Sequence, residues 1–216
     1  MIKVKINNNS SREQSIGSRR GGEGGLDKAD HQDNSPHCGA MKILHNSAQS
    51  LIKKINELNI LAFDIQPVII CVSETLTNAE HTGAYLGINN YDIICRKDRQ
   101  ETKRGIGGGL LAYAKSNLGA CEFEGEYMNN FNQCCEIKFR YSSHSYIYLI
   151  LIYRPHNLYN GGDVAENNQV LIKAIKNLPS PFTLMGDFNY SDINWNTRSA
   201  TFRMSKDFLD LVEEKF

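Results

Sequence analysis

The stretch Pro181–Asn194, with the sequence PFTLMGDFNYSDIN, constrains the fold of this chain more than any other. A short apolar run ends abruptly in Gly-Asp-Phe-Asn, which predicts a buried strand whose carboxyl end carries Asp187 and Asn189. Because strand side chains alternate between faces, an acid and an amide two residues apart point the same way. Such a pair can hold a hard cation or a phosphate-bound water. The alternative interpretation is a strand followed by an Asx turn.

Other apolar runs also have strand character, and several end in polar side chains. Val68–Val72 stops just before Glu74, and Tyr146–Tyr153 is closed by Arg154. Further strands are predicted at residues 42–45, 91–95, 110–113 and 135–141, and helices at 51–63, 171–178 and 204–214. Ser50 stands where it can cap the first helix. Strands interspersed with helices predict a layered α/β or α+β domain rather than an all-β one.

The first 40 residues differ in composition from the rest. They are poor in large apolar side chains and rich in Asn, Ser, Gly and Arg, with the sequence GGEGG at 21–25. Such a segment cannot offset its ordering entropy by burial. We therefore expect residues 1–40 to be disordered and residues 41–216 to form one domain.

Charge and apolar content restrict the class of protein further. Basic and acidic residues balance at 24 each, so no global field indicates a nucleic-acid or membrane partner. No apolar run approaches the roughly 18 residues that span a bilayer, and the N-terminus lacks the apolar region of a signal peptide. We expect an intracellular protein, nuclear or cytoplasmic, with no membrane contact and no obligate protein partner.

The six cysteines show no Cys-x-x-Cys spacing, and several lie inside apolar strand-like runs. This pattern predicts buried free thiols rather than a zinc site or disulfides. The cysteines are Cys38, Cys71, Cys95, Cys121, Cys134 and Cys135.

The polar residues at strand ends suggest a chemistry. Glu74, Tyr153, Arg154, Asp187 and Asn189 all follow or close apolar strands, and the ends of neighbouring strands converge at one edge of a layered sheet protein. Oxygen ligands without a Cys or His cluster favour Mg²⁺ or Mn²⁺ over zinc. A cation bound through one or two carboxylates usually serves phosphates, so the predicted reaction is hydrolysis of a phosphate ester.

The same residues stand in motifs that resemble a known family. Glu74 in IICVSET, Tyr153 in LIYRPHN, and Asp187 with Asn189 in LMGDFNYSDINW are similar to successive motifs of the endonuclease/exonuclease/phosphatase superfamily. The closest similarity is to the apurinic-type endonuclease domain of non-LTR (LINE-like) retrotransposons. The segments AQSLIKKINEL, RGIGGGLLAYAK and YIYLILIYRP also resemble that group, so the resemblance runs from about Met41 to Phe216.

The resemblance implies a four-layer sandwich in which two mixed sheets pack together between helices, and Mg²⁺-dependent nicking of duplex DNA. Glu74 would bind the metal, and Asp187 would orient or deprotonate the attacking water. Asn189 would contact the scissile phosphate, and Tyr153 would donate its hydroxyl to it. Arg154 would be either a structural ion-pair partner or a phosphate contact. His156 is given no role.

The first motif departs from the family pattern. Relatives carry Asn-x-x-Ser-Leu, with the Asn at the metal site, whereas this chain has Asn46, Ser47 and then Ser50-Leu51. If Ser50 sets the register, Ser47 takes the Asn position and Asn46 is turned away. If a bulge restores the register, Asn46 is the metal ligand together with Glu74.

The last motif of the family, Ser-Asp-His, is missing, because no histidine occurs after His156. Losing a general acid or base lowers rates by about 10²- to 10⁴-fold, so we expect a domain that is incomplete at its C-terminus and impaired. Two alternatives stay open. One is another phosphohydrolase of the superfamily, a repair nuclease or a phosphoinositide phosphatase, and the other is a catalytically dead DNA-binding or interaction fragment.

Overall fold

The computed structural model describes residues 5–6, 12–16, 41–98, 108–123, 125, 128, 131, 133–142, 145–155, 164–178 and 181–216, with the backbone alone at 5–6, 12–16 and 141–142. Along the chain the elements are β1 (Lys5–Ile6), β2 (Arg12–Ile16), β3 (Met41–Ser47), α1 (Leu51–Ile65), β4 (Ile69–Ser73), α2 (Gly83–Leu86), β5 (Tyr91–Lys97), β6 (Leu110–Lys115), β7 (Cys121–Glu122), β8 (Cys134–Ser142), β9 (Ser145–Tyr153), α3 (Val164–Lys176), β10 (Phe182–Asp187) and α4 (Arg203–Lys215).

The strands form two mixed sheets. The first sheet has the order β1-β10-β9-β8-β7, and the second has the order β2-β3-β4-β6-β5. In the first sheet β10 is parallel to both β1 and β9, and in the second β3 is parallel to β4. The remaining pairs are antiparallel. Four strands of each sheet come from residues 41–187, and one is added from the N-terminal segment.

Alternation of side chains along the strands builds four layers. In β9, Leu149 and Leu151 face the interior between the sheets, where they meet Cys71 and Ala112 of the second sheet. The intervening Ile150 faces α3 and α4 on the outer surface of the first sheet. Helix α1 covers the outer surface of the second sheet. The predicted four-layer α+β sandwich is therefore confirmed.

Helix α1 begins at the predicted residue but is not capped as predicted. Leu51, Leu58 and Ala62 form its buried stripe, as the helical spacing indicates. Ser50 precedes the helix with φ 108° and makes no side-chain cap hydrogen bond. Instead, the Ser50 and Leu51 amides donate to the carbonyls of Glu74 and Thr75, at 3.0 and 2.9 Å. The start of the helix is thus tied to the loop that carries Glu74.

The N-terminal segment, for which the sequence predicts disorder, contributes the short strands β1 and β2. The rest of residues 1–40 lies outside the described residues, so the prediction stays untested there. None of the described helices combines the length and apolar character needed to cross a bilayer.

The cysteine prediction holds for four of the five cysteines that the structure describes. Cys71, Cys95, Cys134 and Cys135 are buried free thiols, and burial raises the pKa of Cys134 to about 12. Cys121 is exposed, because it lies in the two-residue edge strand β7. Cys38 lies outside the described residues.

Candidate active site

Two parallel strand pairs, one from each sheet, end at the same edge of the sandwich. β3 and β4 pair up to Ser47↔Ser73, and β9 and β10 pair up to Tyr153↔Asp187. The Tyr153 hydroxyl donates to Glu74 Oε1 at 3.4 Å. This contact joins the two sheets where the sequence predicts that their polar ends converge.

Glu74 is half-buried between two hydroxyl groups. Ser47 Oγ donates to its Oε2 at 2.9 Å, and the Tyr153 hydroxyl donates to its Oε1. The residue has φ 53°, in the left-handed region that few non-glycine residues occupy. Leu76 (φ 54°) and Asn189 (φ 50°) share that region at this edge. Strained backbone of this kind persists where the surrounding contacts determine it, and it clusters at functional sites.

The structure brings Ser47, rather than Asn46, to Glu74. Pairing of β3 with β4 runs in unbroken register from Ile43↔Ile69 to Ser47↔Ser73, with no bulge that would shift Asn46. Ile43 faces the interior between the sheets, and Leu44 faces α1. By alternation, Ser47 shares the face of Ile43, and Asn46 shares the face of Leu44. The register therefore favours the alternative in which Ser47 takes the position beside Glu74, and binding of a metal by Asn46 stays a prediction.

Tyr153 is 4% exposed and packs against Gly108, which precedes β6. Gly108 has φ 87°, and a Cβ on it would lie 3.4 Å from Tyr153 Cε1. The carbonyls of Gly108 and Gly109 accept the amides of Leu76 and Thr75, at 3.1 and 3.3 Å. The two glycines before β6 thus hold both Tyr153 and the loop that begins at Glu74. Residues 105–107, which precede these glycines, lie outside the described residues.

Asp187 ends β10 directly after Gly186, which has φ 144°. A Cβ on Gly186 would lie 1.8 Å from the Ile152 carbonyl oxygen, so only glycine fits at this point of the β9–β10 pairing. Asp187 Oδ1 accepts the Asn189 amide at 3.2 Å, which is an Asx-type turn. The two interpretations of this stretch are thus compatible, because the turn is what fixes the half-buried carboxylate at the edge.

Arg154 holds the loop after Asp187. Its guanidinium Nη1 donates to the carbonyls of Phe188 and Asn189, both at 3.3 Å, and its Cζ lies 4.1 Å from the Tyr190 ring centroid. In return, Asn189 Nδ2 donates to the Arg154 carbonyl at 2.7 Å. Arg154 is 5% exposed. This geometry favours a structural role over phosphate contact, with carbonyls and a ring as partners instead of the predicted ion pair.

Tyr190 completes the clamp that Arg154 forms on the loop after Asp187. Its ring stacks on Phe208 of α4 at 4.5 Å, and its hydroxyl donates to Asn168 of α3. Burial raises the pKa of the Tyr190 hydroxyl, with Arg154 opposing that effect. The phenol therefore stays neutral, and both outer helices of the first sheet support the Asn189 loop.

Two side chains that the sequence did not single out contribute to the edge. Gln133 lies opposite Tyr153, whose amide donates to its carbonyl at 3.0 Å. Arg96 donates to the carbonyls of His81 and Asn78, at 2.8 and 2.6 Å, and so fixes the far end of the loop after Glu74. Sequence alone offers no signal for either residue, since Gln133 merely precedes a strand and Arg96 belongs to a charged run.

The side chains at this edge fit a hard divalent cation. Glu74, Asp187 and Asn189 supply carboxylate and carboxamide oxygens, and the described parts of the chain contain no cluster of three or more His, Cys, Asp or Glu side chains of the kind that binds zinc. Mg²⁺ is usually bound through one or two carboxylates and keeps several waters, whereas structural zinc takes four protein ligands. The donor set therefore suits a hard divalent cation rather than a structural zinc ion.

Comparisons with known proteins connect this geometry to a fold. No protein-family model and no curated protein matches the chain. Among solved structures, it is similar to an AP endonuclease from Archaeoglobus fulgidus, at TM-score 0.57 and 13% identity over 81% of this chain and 70% of that one. A Neisseria 3′ phosphatase bound to a product DNA hairpin gives TM-score 0.57 and 14% identity over 81% and 71%.

A third similar structure is the endonuclease domain of TRAS1, a telomere-specific non-LTR retrotransposon, at TM-score 0.54 and 12% identity over 81% and 71% of the two chains. All three match about four-fifths of this chain at TM-scores above 0.5. The chain therefore has the fold of the endonuclease/exonuclease/phosphatase superfamily.

Proposed function

We propose that the chain is a divalent-metal-dependent phosphodiesterase, a DNA endonuclease of retrotransposon origin that nicks duplex target DNA. The observation that carries this proposal is the contact between Glu74 and Tyr153, which joins the carboxyl ends of the two sheets beside Asp187. An oxygen-rich edge of this kind suits a phosphate ester and a hard cation. The similar structures include a retrotransposon endonuclease domain, which supports the same assignment.

Glu74 is the residue that would hold Mg²⁺ or Mn²⁺. Both of its oxygens accept hydroxyl hydrogen bonds, and each oxygen keeps a lone pair for a further partner. A cation held there would polarise the phosphoryl oxygen and stabilise the charge on the departing oxygen. Ser47 orients the Glu74 carboxylate, in the position that the family pattern gives to an asparagine.

Asp187 and Asn189 would act on the water and the phosphate. Asp187 lies at the end of β10 and accepts the Asn189 amide at its Oδ1, and its carboxylate would orient or deprotonate the attacking water. Asn189 donates one amide hydrogen to the Arg154 carbonyl, which leaves the second for the scissile phosphate. The Tyr153 hydroxyl lies at Glu74 and can donate to the same phosphate.

A second candidate is a 3′ phosphomonoesterase acting on DNA ends. The similarity to a 3′ phosphatase bound to a product DNA hairpin, at the same TM-score as the AP endonuclease, favours it. Both reactions use the same edge and differ only in whether the substrate phosphate joins two nucleotides.

The test is nicking of supercoiled plasmid by the full chain, with Mg²⁺ or with a chelator. Glu74→Gln and Asp187→Asn should each lower the rate by about 10²- to 10⁴-fold. The matched controls are the exposed acids Glu57 and Asp64 of α1, whose Gln and Asn variants should nick like the wild type.

A parallel assay offers a duplex that ends in a 3′ phosphate. Release of phosphate without plasmid nicking would assign the phosphomonoesterase instead. Nicking that is equal in the wild type and both site variants, or that persists in chelator, would contradict the proposal.

A further inference from the structure

Gln133 carries a buried carboxamide oxygen, Oε1, that accepts no hydrogen bond from any residue the structure describes. Buried acceptors of this kind are few in folded proteins, because an unpaired one has lost its hydration and gained nothing in return. Each therefore indicates a partner such as a water, an ion or a ligand.

Gln133 lies at the candidate active site. Its carbonyl accepts the Tyr153 amide, which extends the β8–β9 pairing one residue beyond Cys134↔Ile152. Cys135 faces the interior between the two sheets, and Gln133, two residues earlier, faces the same side. Tyr153 also faces that interior. The two side chains are therefore neighbours on one face.

The carboxamide oxygen lies close to Gly108 and to the Tyr153 ring. It lies 3.2 Å from the point that a Cβ on Gly108 would occupy, and Tyr153 Cε1 lies 3.4 Å from the same point. The Gly108 carbonyl accepts the Leu76 amide, two residues beyond Glu74. A Cβ at position 108 would crowd this oxygen, so the glycine leaves room beside it, next to the loop that begins at Glu74.

The chemistry of Gln133 Oε1 determines which kind of partner it can have. An oxygen acceptor needs a hydrogen-bond donor, and an ionised phosphodiester has none. Waters bound to a divalent cation do donate, and Mg²⁺ keeps several of them when one or two carboxylates hold it. We propose that Gln133 Oε1 accepts a hydrogen bond from a water in the hydration shell of a divalent cation held at Glu74, so that Gln133 is a positioning residue for that cation. This inference rests on the proposed function.

The test measures Mn²⁺ binding to the full chain by calorimetry, in the absence of DNA. Gln133→Met keeps the length of the side chain and removes the acceptor, and it should weaken Mn²⁺ binding about 10- to 100-fold, as loss of an outer partner of a metal site usually does. Gln133→Glu keeps an acceptor oxygen and should bind Mn²⁺ at least as tightly as the wild type. Gln169→Met, at an exposed position on α3, should bind like the wild type.

A second readout separates this role from a merely structural one. Without metal, Gln133→Met should melt no lower than the wild type, because it removes an unpaired polar atom. With saturating Mn²⁺, the wild type should gain more in melting temperature than the variant.

Three outcomes would overturn the inference or its basis in distinguishable ways. Unchanged Mn²⁺ affinity in Gln133→Met would refute the role of Gln133 alone. Weaker DNA binding by Gln133→Glu with unchanged Mn²⁺ affinity would assign the amide as a donor to substrate instead. A wild-type chain that binds no Mn²⁺ would refute the proposed function itself.

Discussion

The two carboxylates of the candidate active site are held in different ways, although each lies at the carboxyl end of a buried strand. Asp187 is fixed within the first sheet, by the Asn189 amide of its own loop and by the Arg154 amide, directly after β9, which donates to the Asp187 carbonyl at 2.8 Å. Glu74 is fixed from outside its loop, by Ser47 on the neighbouring strand and by Tyr153 on the opposing sheet.

The two carboxylates are therefore held in position by different parts of the fold. The Asp187 loop depends on local backbone geometry and on the first sheet with its two outer helices. The Glu74 carboxylate depends on how the two sheets pack, because one of its two donors belongs to the other sheet. Substitutions near Asp187 should therefore act mainly on the stability of the first sheet, and substitutions near Glu74 should act mainly on the cation site.

The largest stability effect is expected from Gly186→Ala. The new Cβ would lie 1.8 Å from the Ile152 carbonyl oxygen, and the residue has φ 144°, so β9 and β10 must separate. We expect a loss of roughly 4 kcal/mol in the free energy of unfolding. Urea denaturation measures it. Gly83→Ala is the matched control, since a Cβ there meets nothing within 4 Å, and it should be neutral or slightly stabilising. Similar midpoints for the two variants would contradict the close approach at Gly186.

A smaller effect is expected from Arg154→Lys. A lysine keeps the charge but cannot reach the Phe188 and Asn189 carbonyls while lying flat on the Tyr190 ring. We expect a loss of about 2 kcal/mol in the free energy of unfolding and a lower kcat for nicking, because Asn189 loses its support.

The same variant distinguishes the clamp from a phosphate contact. A clamp leaves the salt dependence of DNA binding unchanged, whereas removal of a phosphate contact reduces its slope. Arg198→Lys, at an exposed position near Glu213, is the control and should change neither property. An altered salt dependence with normal stability would instead show that Arg154 contacts a substrate phosphate.

Ser47→Ala tests how the Glu74 carboxylate is held. It removes the donor to Glu74 Oε2, and we expect a loss of about 1 kcal/mol in stability and about tenfold in divalent-cation affinity. Asn46→Ala should leave the cation affinity unchanged, because Asn46 lies on the opposite face of β3. Calorimetric titration of Mn²⁺ into both variants decides the point, and the reverse ranking would restore Asn46 as the ligand.

Local pattern was enough to predict most of the fold. The apolar stripe of α1 predicts a helix over 51–63, and the structure has Leu51–Ile65. The run before Asp187 predicts a strand, and β10 ends at that residue. Both predictions succeed because the spacing of apolar residues reflects which side chains are buried. Helix α2 and strand β7 have four and two residues, too few to show a period, and they were not predicted.

The candidate site was predictable only in part, because several of its contacts depend on register and on long-range pairing. Ser47 and Asn46 are both polar residues at a strand end, and only the pairing of β3 with β4 shows which of them faces Glu74. Arg154 has partners 34 to 36 residues away, so its clamp leaves no local signal. Gln133 belongs to the site because it pairs with Tyr153, which lies 20 residues later in the sequence.

The smallest expected effect concerns the pH dependence of stability at Asp192, beyond the Asn189 loop. Burial raises the pKa of this carboxyl, but hydrogen bonds from the Ser205 hydroxyl and from the Phe202 and Thr201 amides outweigh it, so the pKa lies below its ordinary value. A lowered pKa in the folded state means that the carboxylate stabilises the fold above its ordinary pKa and loses that effect as the pH falls through the folded value.

Asp192→Asn keeps an acceptor for the start of α4 but cannot ionise. The difference in melting temperature between wild type and variant should therefore be constant from pH 7 to pH 5 and shrink below about pH 4. A difference that stays constant down to pH 3 would show that the charge of Asp192 contributes nothing, and that the loop beyond Asn189 is held by hydrogen-bond geometry alone.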